Sequence, residues 1–406
     1  MRPLAITGGE VVTPQGMVRA DLLVEGGRIA AIGAIDPPAG AERIEANGRL
    51  VAPGLVDVGV MAIDRPAFAA GGITRALLMP DQSRPLDTVA LIQHAAAAGK
   101  PDVWIHPLAA ATRGLEGTEL AEIGLMAAAG ARAVATGRRW IADSGVMQRL
   151  LAYAGALGLV TVSHAEDAGL AGDAVATAGE TATRMGLSAA PAAAEALAVA
   201  RDLLLVEETG APIHFRQITT ARAIDLVRQA KARGLPVTCG ITPAHLFLSD
   251  VAMGDFRTFA RLSPPLRDEA DRHACLAAVA DGTIDLIASG HDPRGPEEKR
   301  LPFADSEPGM AGAETLLSLS LTLVRNGSIT MDRLFQLLAT TPARLFGLPG
   351  GEISVGAEAD LILIDTDAPW RIDSDRLAAA HGNTPFDGLP VQGRVLTTIK
   401  GGATIA

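Results

Sequence analysis

Short apolar runs alternate with amphipathic helical segments from residue 54 to residue 346, and this alternation restricts the possible folds severely. The predicted strands are Thr74–Met79, Val103–His106, Ala131–Ala135, Val160–Ser163, Ile213–Phe215, Val237–Cys239 and Ile284–Ala288. The predicted helices are Thr88–Ala98, Gly145–Leu157, Ala192–Glu208, Thr220–Arg233 and Asp268–Ala280. Repeated βα units in one long domain indicate an α/β fold with a parallel TIM-type (β/α)8 barrel.

Both ends of the chain have a different pattern, in which short apolar runs are separated by turn residues. Gly8-Gly9 and Gly26-Gly27 are predicted hairpin turns of an antiparallel sheet. We therefore expect residues 1–53 and 347–406 to form one small composite β-sandwich, and residues 54–346 to form the barrel. The predicted strands of the sandwich are Leu4–Thr7, Asp21–Glu25, Arg28–Ile32, Ala359–Ile364 and Val395–Ile399.

Composition excludes several classes of protein. The formal net charge of −11 and the absence of a basic run argue against a nucleic-acid surface. No apolar run reaches the length of a membrane span, and the amino-terminal residues lack the apolar core of a signal peptide, so we expect a cytoplasmic protein. Cys239 and Cys275 lack metal-like spacing and are predicted to be buried thiols rather than a disulfide.

Five short motifs carry a family resemblance that covers essentially the whole chain. They are Ala52–Asp57, Ser163–Asp167, Pro264–Arg267, Thr341–Leu348 and Asn383–Gly388. In this order they resemble the dihydroorotases of the amidohydrolase superfamily, which are metal-dependent hydrolases of cyclic amides. The resemblance implies an active site at the carboxyl ends of the barrel strands.

The family's metal ligands are mostly missing at the positions where the resemblance places them. The first strand of the family reads Pro-Gly-x-x-Asp-x-His-x-His, but this chain has Gly59 and Met61 at the two histidine positions. Gln217 replaces a third histidine, and Gly290 replaces the aspartate that is both ligand and general base. Residues 136–139, Thr-Gly-Arg-Arg, supply no bridging carboxylate. Since catalytic zinc typically needs about three protein ligands, we expect no metal cofactor.

Several residues remain as candidate parts of the emptied site. His164 matches a family ligand position, although the interpretation as a buried histidine that forms hydrogen bonds is favoured. His291 and Asp292 could form a catalytic dyad, although a structural hydrogen-bonded pair is favoured. Asp81, Arg138, Ser263 and Arg267 are predicted remnants of the substrate pocket.

Other polar residues near these positions have structural interpretations. Arg138 and Arg139 could bind an anionic metabolite or a subunit partner, although an ion pair of Arg138 with Glu166 or Asp167 in the old metal cavity is favoured. His245 is predicted to pack under a loop, and residues 297–300 to form a solvated loop. Met61 is expected to pack inward and to help close the pocket.

The function predicted from this pattern is non-catalytic. The chain resembles the inactive dihydroorotase-like proteins that associate with aspartate transcarbamoylase in pyrimidine biosynthesis. The resemblance implies a scaffold or regulatory subunit, within a homo- or hetero-oligomer, for the transcarbamoylase catalytic subunit. Two alternatives stay open: an active cyclic amidohydrolase with a reduced site at His164, His291 and Asp292, with zinc only in that case, and a sensor that binds an anionic metabolite.

Overall fold

The barrel strands follow one another in the order that the apolar runs predict. The structure is a computed structural model that describes residues 2–405. Its barrel strands are β6 (Leu55–Val60), β7 (Ile73–Leu78), β8 (Trp104–Pro107), β9 (Ala109–Ala110), β10 (Val134–Ala135), β11 (Thr161–Ser163), β14 (Ile213–Phe215), β15 (Val237–Ile241) and β16 (Leu286–Ile287). A separate two-stranded parallel pair consists of β12 (Ala176–Thr177) and β13 (Ala189–Ala190).

The strands close into an eight-stranded barrel. One parallel sheet contains β6, β7 and β8, and a second runs from β9 through β10, β11, β14 and β15 to β16. Only Leu108 separates β8 from β9, so these two short segments together form one barrel strand, which belongs to both sheets. The ring closes where the backbone N–H of Met61 donates to the carbonyl of His291 (2.9 Å). The predicted TIM-type barrel is confirmed.

Helices surround the barrel where the amphipathic segments predict them. Asp143, Thr220 and Asp268 cap the amino-terminal ends of three helices through their side chains, as short polar residues do. The helices are α1 (Arg65–Gly71), α2 (Val89–Ala97), α3 (Ile123–Ala128), α4 (Ser144–Ala156), α5 (Ala168–Ala171), α6 (Glu180–Met185), α7 (Ala193–Thr209), α8 (Ala221–Ala232), α9 (Pro243–Phe247), α10 (Glu269–Ala280), α11 (Pro296–Lys299), α12 (Leu316–Arg325), α13 (Met331–Phe335) and α14 (Thr341–Leu345). Short 3₁₀ turns span Arg113–Leu115, Asp250–Phe256 and Thr258–Ala260, and a π turn spans Gln336–Thr340.

Strands from both ends of the chain combine into one β-rich domain, in which hydrogen bonds join eight strands. Its strands are β1 (Leu4–Thr13), β2 (Gly16–Glu25), β3 (Arg28–Gly33), β4 (Glu42–Glu45), β5 (Leu50–Pro53), β17 (Leu361–Arg371), β18 (Pro390–Lys400) and β19 (Ala403–Ile405). The order is β19-β18-β17-β5-β1-β2-β3, with β4 beside β1. The sheet joins the barrel through Arg75, which is buried on β7 and pairs with Glu358 and Asp360.

One predicted hairpin is wrong. Gly8 and Gly9 lie inside β1, where the register with β2 shifts between Ile6 and Gly9. The turn instead falls at residues 14–15, after β1 has continued to Thr13. A glycine pair can therefore mark a bulge as well as a turn, since both need an unusual backbone conformation. Gly26 and Gly27 do connect β2 and β3.

The cysteine prediction is confirmed, because Cys239 and Cys275 are both buried and free. Burial raises the pKa of each thiol, and for this reason neither is an activated nucleophile. Within residues 2–405, no helix is long and apolar enough to cross a membrane.

Candidate active site at the barrel mouth

A narrow cavity of about 20 Å³ lies at the carboxyl ends of the barrel strands, where barrel enzymes carry their active sites. A volume of this size admits about one water-sized group. Six of its polar lining residues are Arg138, Arg216, Gln217, His245, Ser263 and Asp292. A larger groove of about 510 Å³ lies beside Pro53, before β6 begins, and is therefore remote from the mouth.

Two apolar substitutions on the first barrel strand are matched by the packing around them. Met61 is buried in the barrel interior beside Val58 and Met79, as expected from the sequence. Gly59 has a φ of +81°, and a Cβ atom built there would lie 3.0 Å from Cδ of Arg216. The side chain of Arg216 thus occupies the space into which a side chain at position 59 would project.

Arg216 and Gln217 follow directly after β14 and turn polar groups into the cavity. The side chain of Arg216 is buried, and within residues 2–405 its Nε has no hydrogen-bond partner. Burial and, to a smaller extent, the charge of Arg138 lower the pKa of Arg216 to about 10, against the opposing effect of Asp81 and Asp292. The buried side-chain oxygen of Gln217 likewise has no partner among the described residues. Both groups are therefore available to a ligand.

Arg138 forms an ion pair, but with a different partner from the predicted Glu166 or Asp167. Its guanidinium donates two hydrogen bonds to Asp292, at 2.7 and 3.0 Å, and its backbone N–H donates to Asp81 at 2.8 Å. Asp167 instead caps α5. Burial disfavours the charged form of Arg138, but the bonds to Asp292 outweigh this effect and raise its pKa. The prediction failed because Asp292 lies across the mouth from the loop of Arg138, which sequence distance cannot show.

His164 and Arg267 belong to a buried network beside the cavity rather than to its lining. Nε2 of His164 lies 3.6 Å from Glu166, and its backbone N–H donates to Thr136 at 3.1 Å. Burial by itself raises the pKa of Glu166, but His164 and Arg267 more than offset this and lower it.

Each of the three side-chain nitrogens of Arg267 has a hydrogen-bond partner. The guanidinium donates to Thr219 (2.9 Å) and Thr177 (3.0 Å) and lies 3.4 Å from Glu195, whose side chain is buried. Glu195 also accepts bonds from two backbone N–H groups, at 2.9 and 2.8 Å. Because these partners hold Arg267 away from the cavity, its predicted place in the substrate pocket has no support in this geometry.

His291 and Asp292 do not form a pair. His291 is buried, packs edge-on against Phe68 and directs Nε2 toward Asp64 at 3.5 Å. Asp292 faces the cavity, where Arg138 and Arg294 hold its oxygens. The hypothesis of a dyad is therefore wrong, since consecutive residues direct their side chains to opposite sides of the chain here.

The structure agrees with the prediction for His245 but only in part with the prediction for residues 297–300. His245 packs under the loop at Pro264, whose carbonyl lies 3.0 Å from Nε2, and burial lowers its pKa to about 4. The segment 297–300 is not simply a solvated loop. Lys299 is buried, and its ammonium donates to the carbonyls of Thr258, Arg261 and Glu307 at 2.7–3.3 Å.

The family's metal does not fit the side chains present at the mouth. Within residues 2–405, no group of three or more His, Cys, Asp or Glu side chains converges to hold an ion. Gly59, Met61, Gln217 and Gly290 stand at the expected ligand positions, and the guanidinium of Arg216 lies among them. A cation in that place would repel a divalent metal.

Arg216 is the functional candidate that the sequence interpretation missed. Gln217 was singled out because it stands at a family ligand position, while Arg216, which follows the predicted strand Ile213–Phe215, was assigned no role. The sequence does place Arg216 directly after a short buried strand, and at such positions the side chains of a barrel reach the mouth. This position could have identified Arg216 as a candidate.

Comparison with known proteins identifies the family. Residues 109–405 match the amidohydrolase family. The dihydroorotase of Citrifermentans bemidjiense is 37% identical over 98% of both chains, and that of Pelotomaculum thermopropionicum is 40% identical over 99% of this chain and 98% of its own. The L-hydantoinase (dihydropyrimidinase) of Arthrobacter aurescens superimposes with a TM-score of 0.89 at 26% identity, over 100% of this chain and 96% of its own.

These relatives correct the functional prediction. The expectation of a non-catalytic scaffold is wrong, because the full-length relatives are dihydroorotases at 37–40% identity and thus support the alternative of an active enzyme. The motifs from Ala52 to Gly388 indicate the family relationship correctly. The substitutions at the ligand positions led to the wrong functional prediction. The match to the family over residues 109–405, together with these relatives, shows that the chain belongs to the amidohydrolase family.

Proposed function

We propose that the chain is a cyclic-amide hydrolase of the dihydroorotase type, acting at the barrel mouth on the ring of dihydroorotate or on its open-chain product. The observation that carries this proposal is the 37–40% identity to dihydroorotases over nearly the whole of both chains. The charged groups that line the mouth, Arg138, Arg216 and Asp292, are compatible with an anionic substrate.

Ring opening needs a base for the attacking water and hydrogen-bond donors for the carbonyl oxygen. Asp292 faces the cavity and accepts three hydrogen bonds from Arg138 and Arg294. Since a carboxylate has about four acceptor positions, about one remains for a water molecule. We assign Asp292 to hold this water, to receive its proton as the water attacks the carbonyl carbon, and to return that proton to the ring nitrogen as the C–N bond breaks. The hydroxyl of Ser263 and the amide N–H groups of Gln217 line the same cavity and can donate to the carbonyl oxygen.

The test is to measure ring opening and ring closure with the purified protein, before and after incubation with zinc. Asp292→Asn keeps the size of the side chain but removes the base, so we expect turnover to fall by about 100-fold or more. Glu298→Gln is a matched control, because Glu298 also contacts Arg294 but does not line the cavity. Turnover at the background rate in the unmodified protein, or unchanged turnover in Asp292→Asn, would contradict the proposal.

Binding of an anionic metabolite without turnover is a second candidate. The observation that favours it is the cavity volume of about 20 Å³, which is too small for a whole ring unless the mouth opens. Thermal stabilisation by dihydroorotate without product formation would support this candidate over hydrolysis.

Association with the catalytic subunit of aspartate transcarbamoylase stays a prediction and does not require loss of activity. The same holds for the homo- or hetero-oligomeric state and for the cytoplasmic location. Purification of the native protein under mild conditions, followed by identification of the chains that accompany it, tests the first two together.

A further inference from the structure

A buried arginine without a partner lies at the centre of the barrel mouth. Arg216 exposes only 6% of its surface. Within residues 2–405, its Nε has no hydrogen-bond partner, and its side chain interacts with the neighbouring charges only at longer range. A buried charge without a partner is costly, and proteins usually pair it or replace it.

Arg267 shows how the same chain treats a buried arginine that is structural. Its exposure is 3%, similar to that of Arg216. Its guanidinium contacts two threonine hydroxyls and the carboxylate of Glu195, at 2.9–3.4 Å. Arg216 has no comparable set of partners, so a purely structural role leaves its charge unexplained.

Two carboxylates, those of Asp81 and Asp292, attract Arg216 without forming an ion pair with it. Asp292 is held by Arg138 and Arg294. Asp81 accepts from the backbone N–H of Arg138 through Oδ1, and its buried Oδ2 has no hydrogen-bond partner within residues 2–405. The N–H groups of Arg216 therefore remain open to a group from outside the chain.

The cavity sets the size of that group. Arg216 and Gln217 line it together. About 20 Å³ admits a single oxygen-sized group rather than a ring. A carboxylate can insert one oxygen at Arg216 while the rest of the molecule stays toward the opening.

We propose that Arg216 forms a binding subsite for the carboxylate of a small anionic ligand. This proposal goes beyond hydrolysis, because the subsite would act equally on a ligand that is bound and never turned over. Arg216 stands next to Gln217, and its guanidinium supplies positive charge among the positions where the family has metal ligands. An arginine suits this role, since its guanidinium binds carboxylates in a fixed geometry.

The test compares two ligands that differ only in the carboxylate. Dihydroorotate carries it, and dihydrouracil has the same ring without it. By calorimetric titration, we expect the unmodified protein to bind dihydroorotate about 10- to 100-fold more tightly, as a hydrogen-bonded charge pair would produce. Arg216→Met should reduce this preference to near one, and Arg216→Lys should keep part of it. Arg228→Met, at an exposed ion pair, should leave it unchanged.

The outcomes separate this proposal from hydrolysis. Equal binding of the two ligands by the unmodified protein, or an unchanged preference in folded Arg216→Met, overturns the subsite. Arg216→Lys keeps the test decisive if the methionine variant fails to fold, because it retains the charge and loses the fixed geometry. A carboxylate preference without product would support the subsite and contradict hydrolysis. Product formation with no carboxylate preference would support hydrolysis and contradict the subsite.

Discussion

Replacing Arg216 by methionine should stabilise the ligand-free protein. Burial lowers the pKa of Arg216 well below its usual value, to about 10. At about 1.36 kcal/mol per pKa unit, keeping this charge in the folded protein at neutral pH costs about 3 kcal/mol. The folded pKa lies below the unfolded one, so the cost is fully present at pH 7 and is relieved only above about pH 10.

Methionine has a similar length and removes the charge without leaving a large cavity. Apolar replacement of buried charges is often neutral or stabilising by about 1–4 kcal/mol. After allowance for imperfect packing against Met79 and Gly59, we expect a gain of about 1–3 kcal/mol. For a chain of 406 residues, the melting temperature should rise by about 1–4 °C. Differential scanning calorimetry at pH 7, without carboxylate buffers, measures this.

Arg267→Met is the matched control. Arg267 is buried to a similar degree but has Glu195 as a partner, and its removal leaves that carboxylate without its cation. Breaking a buried pair in this way costs about 3–5 kcal/mol. The two substitutions should therefore shift the melting temperature in opposite directions. If Arg216→Met destabilises the protein as much as Arg267→Met does, our reasoning about an uncompensated charge is refuted.

Three further predictions concern other parts of the site. The purified protein should contain far less than one zinc per chain by elemental analysis. Gly59→His/Met61→His should not bind zinc tightly while Arg216 is present, because the Cγ and Cδ atoms of Arg216 occupy the space beside position 59 and its charge repels the ion; tight zinc binding by that double variant would contradict this. His245 has its pKa lowered to about 4, so the unfolded chain takes up the proton first; stability from this residue should be lost as the pH falls from about 6.5 to about 4, by up to about 3 kcal/mol, and His245→Gln should flatten that part of the stability profile measured by urea unfolding. Lys299→Met should lower the unfolding free energy by about 2–4 kcal/mol, because it leaves backbone carbonyls buried without donors, whereas a change within about 0.5 kcal/mol in urea titration would show that the lysine is dispensable.

The fold could be predicted well because it depends on local periodicity. The predicted helix Thr220–Arg233 is observed as Ala221–Ala232, and the predicted strand Ile213–Phe215 is observed unchanged. Hydrophobic spacing determines both, and it is fully contained in the local sequence. The hairpin at Gly8-Gly9 failed because a bulge and a turn share the same glycine signal.

The site could be predicted only in part, because its contacts join distant segments. Gln217 and Gly290 were identified as altered positions, and both do line the cavity. The partner of Arg138 was missed, since Asp292 is 154 residues away along the chain. The importance of Arg216 was missed as well, because a missing partner is a property of the folded state and leaves no pattern in the sequence.

The altered positions at the mouth form a connected packing arrangement. Gly59 has a positive φ, which disfavours any L side chain, and a Cβ there would press against Arg216. A Cβ at Gly290 would lie 2.9 Å from Met310 and 3.0 Å from Thr242, so an aspartate at that position meets a similar obstacle. At positions 59 and 290, a neighbouring side chain thus occupies space that a larger residue would need. Reinstating one ligand at a time should therefore introduce strain before it introduces metal affinity. The arginine at 216 and the glycine at 59 depend on each other, and the chemistry of this mouth has to be explained with a guanidinium at its centre.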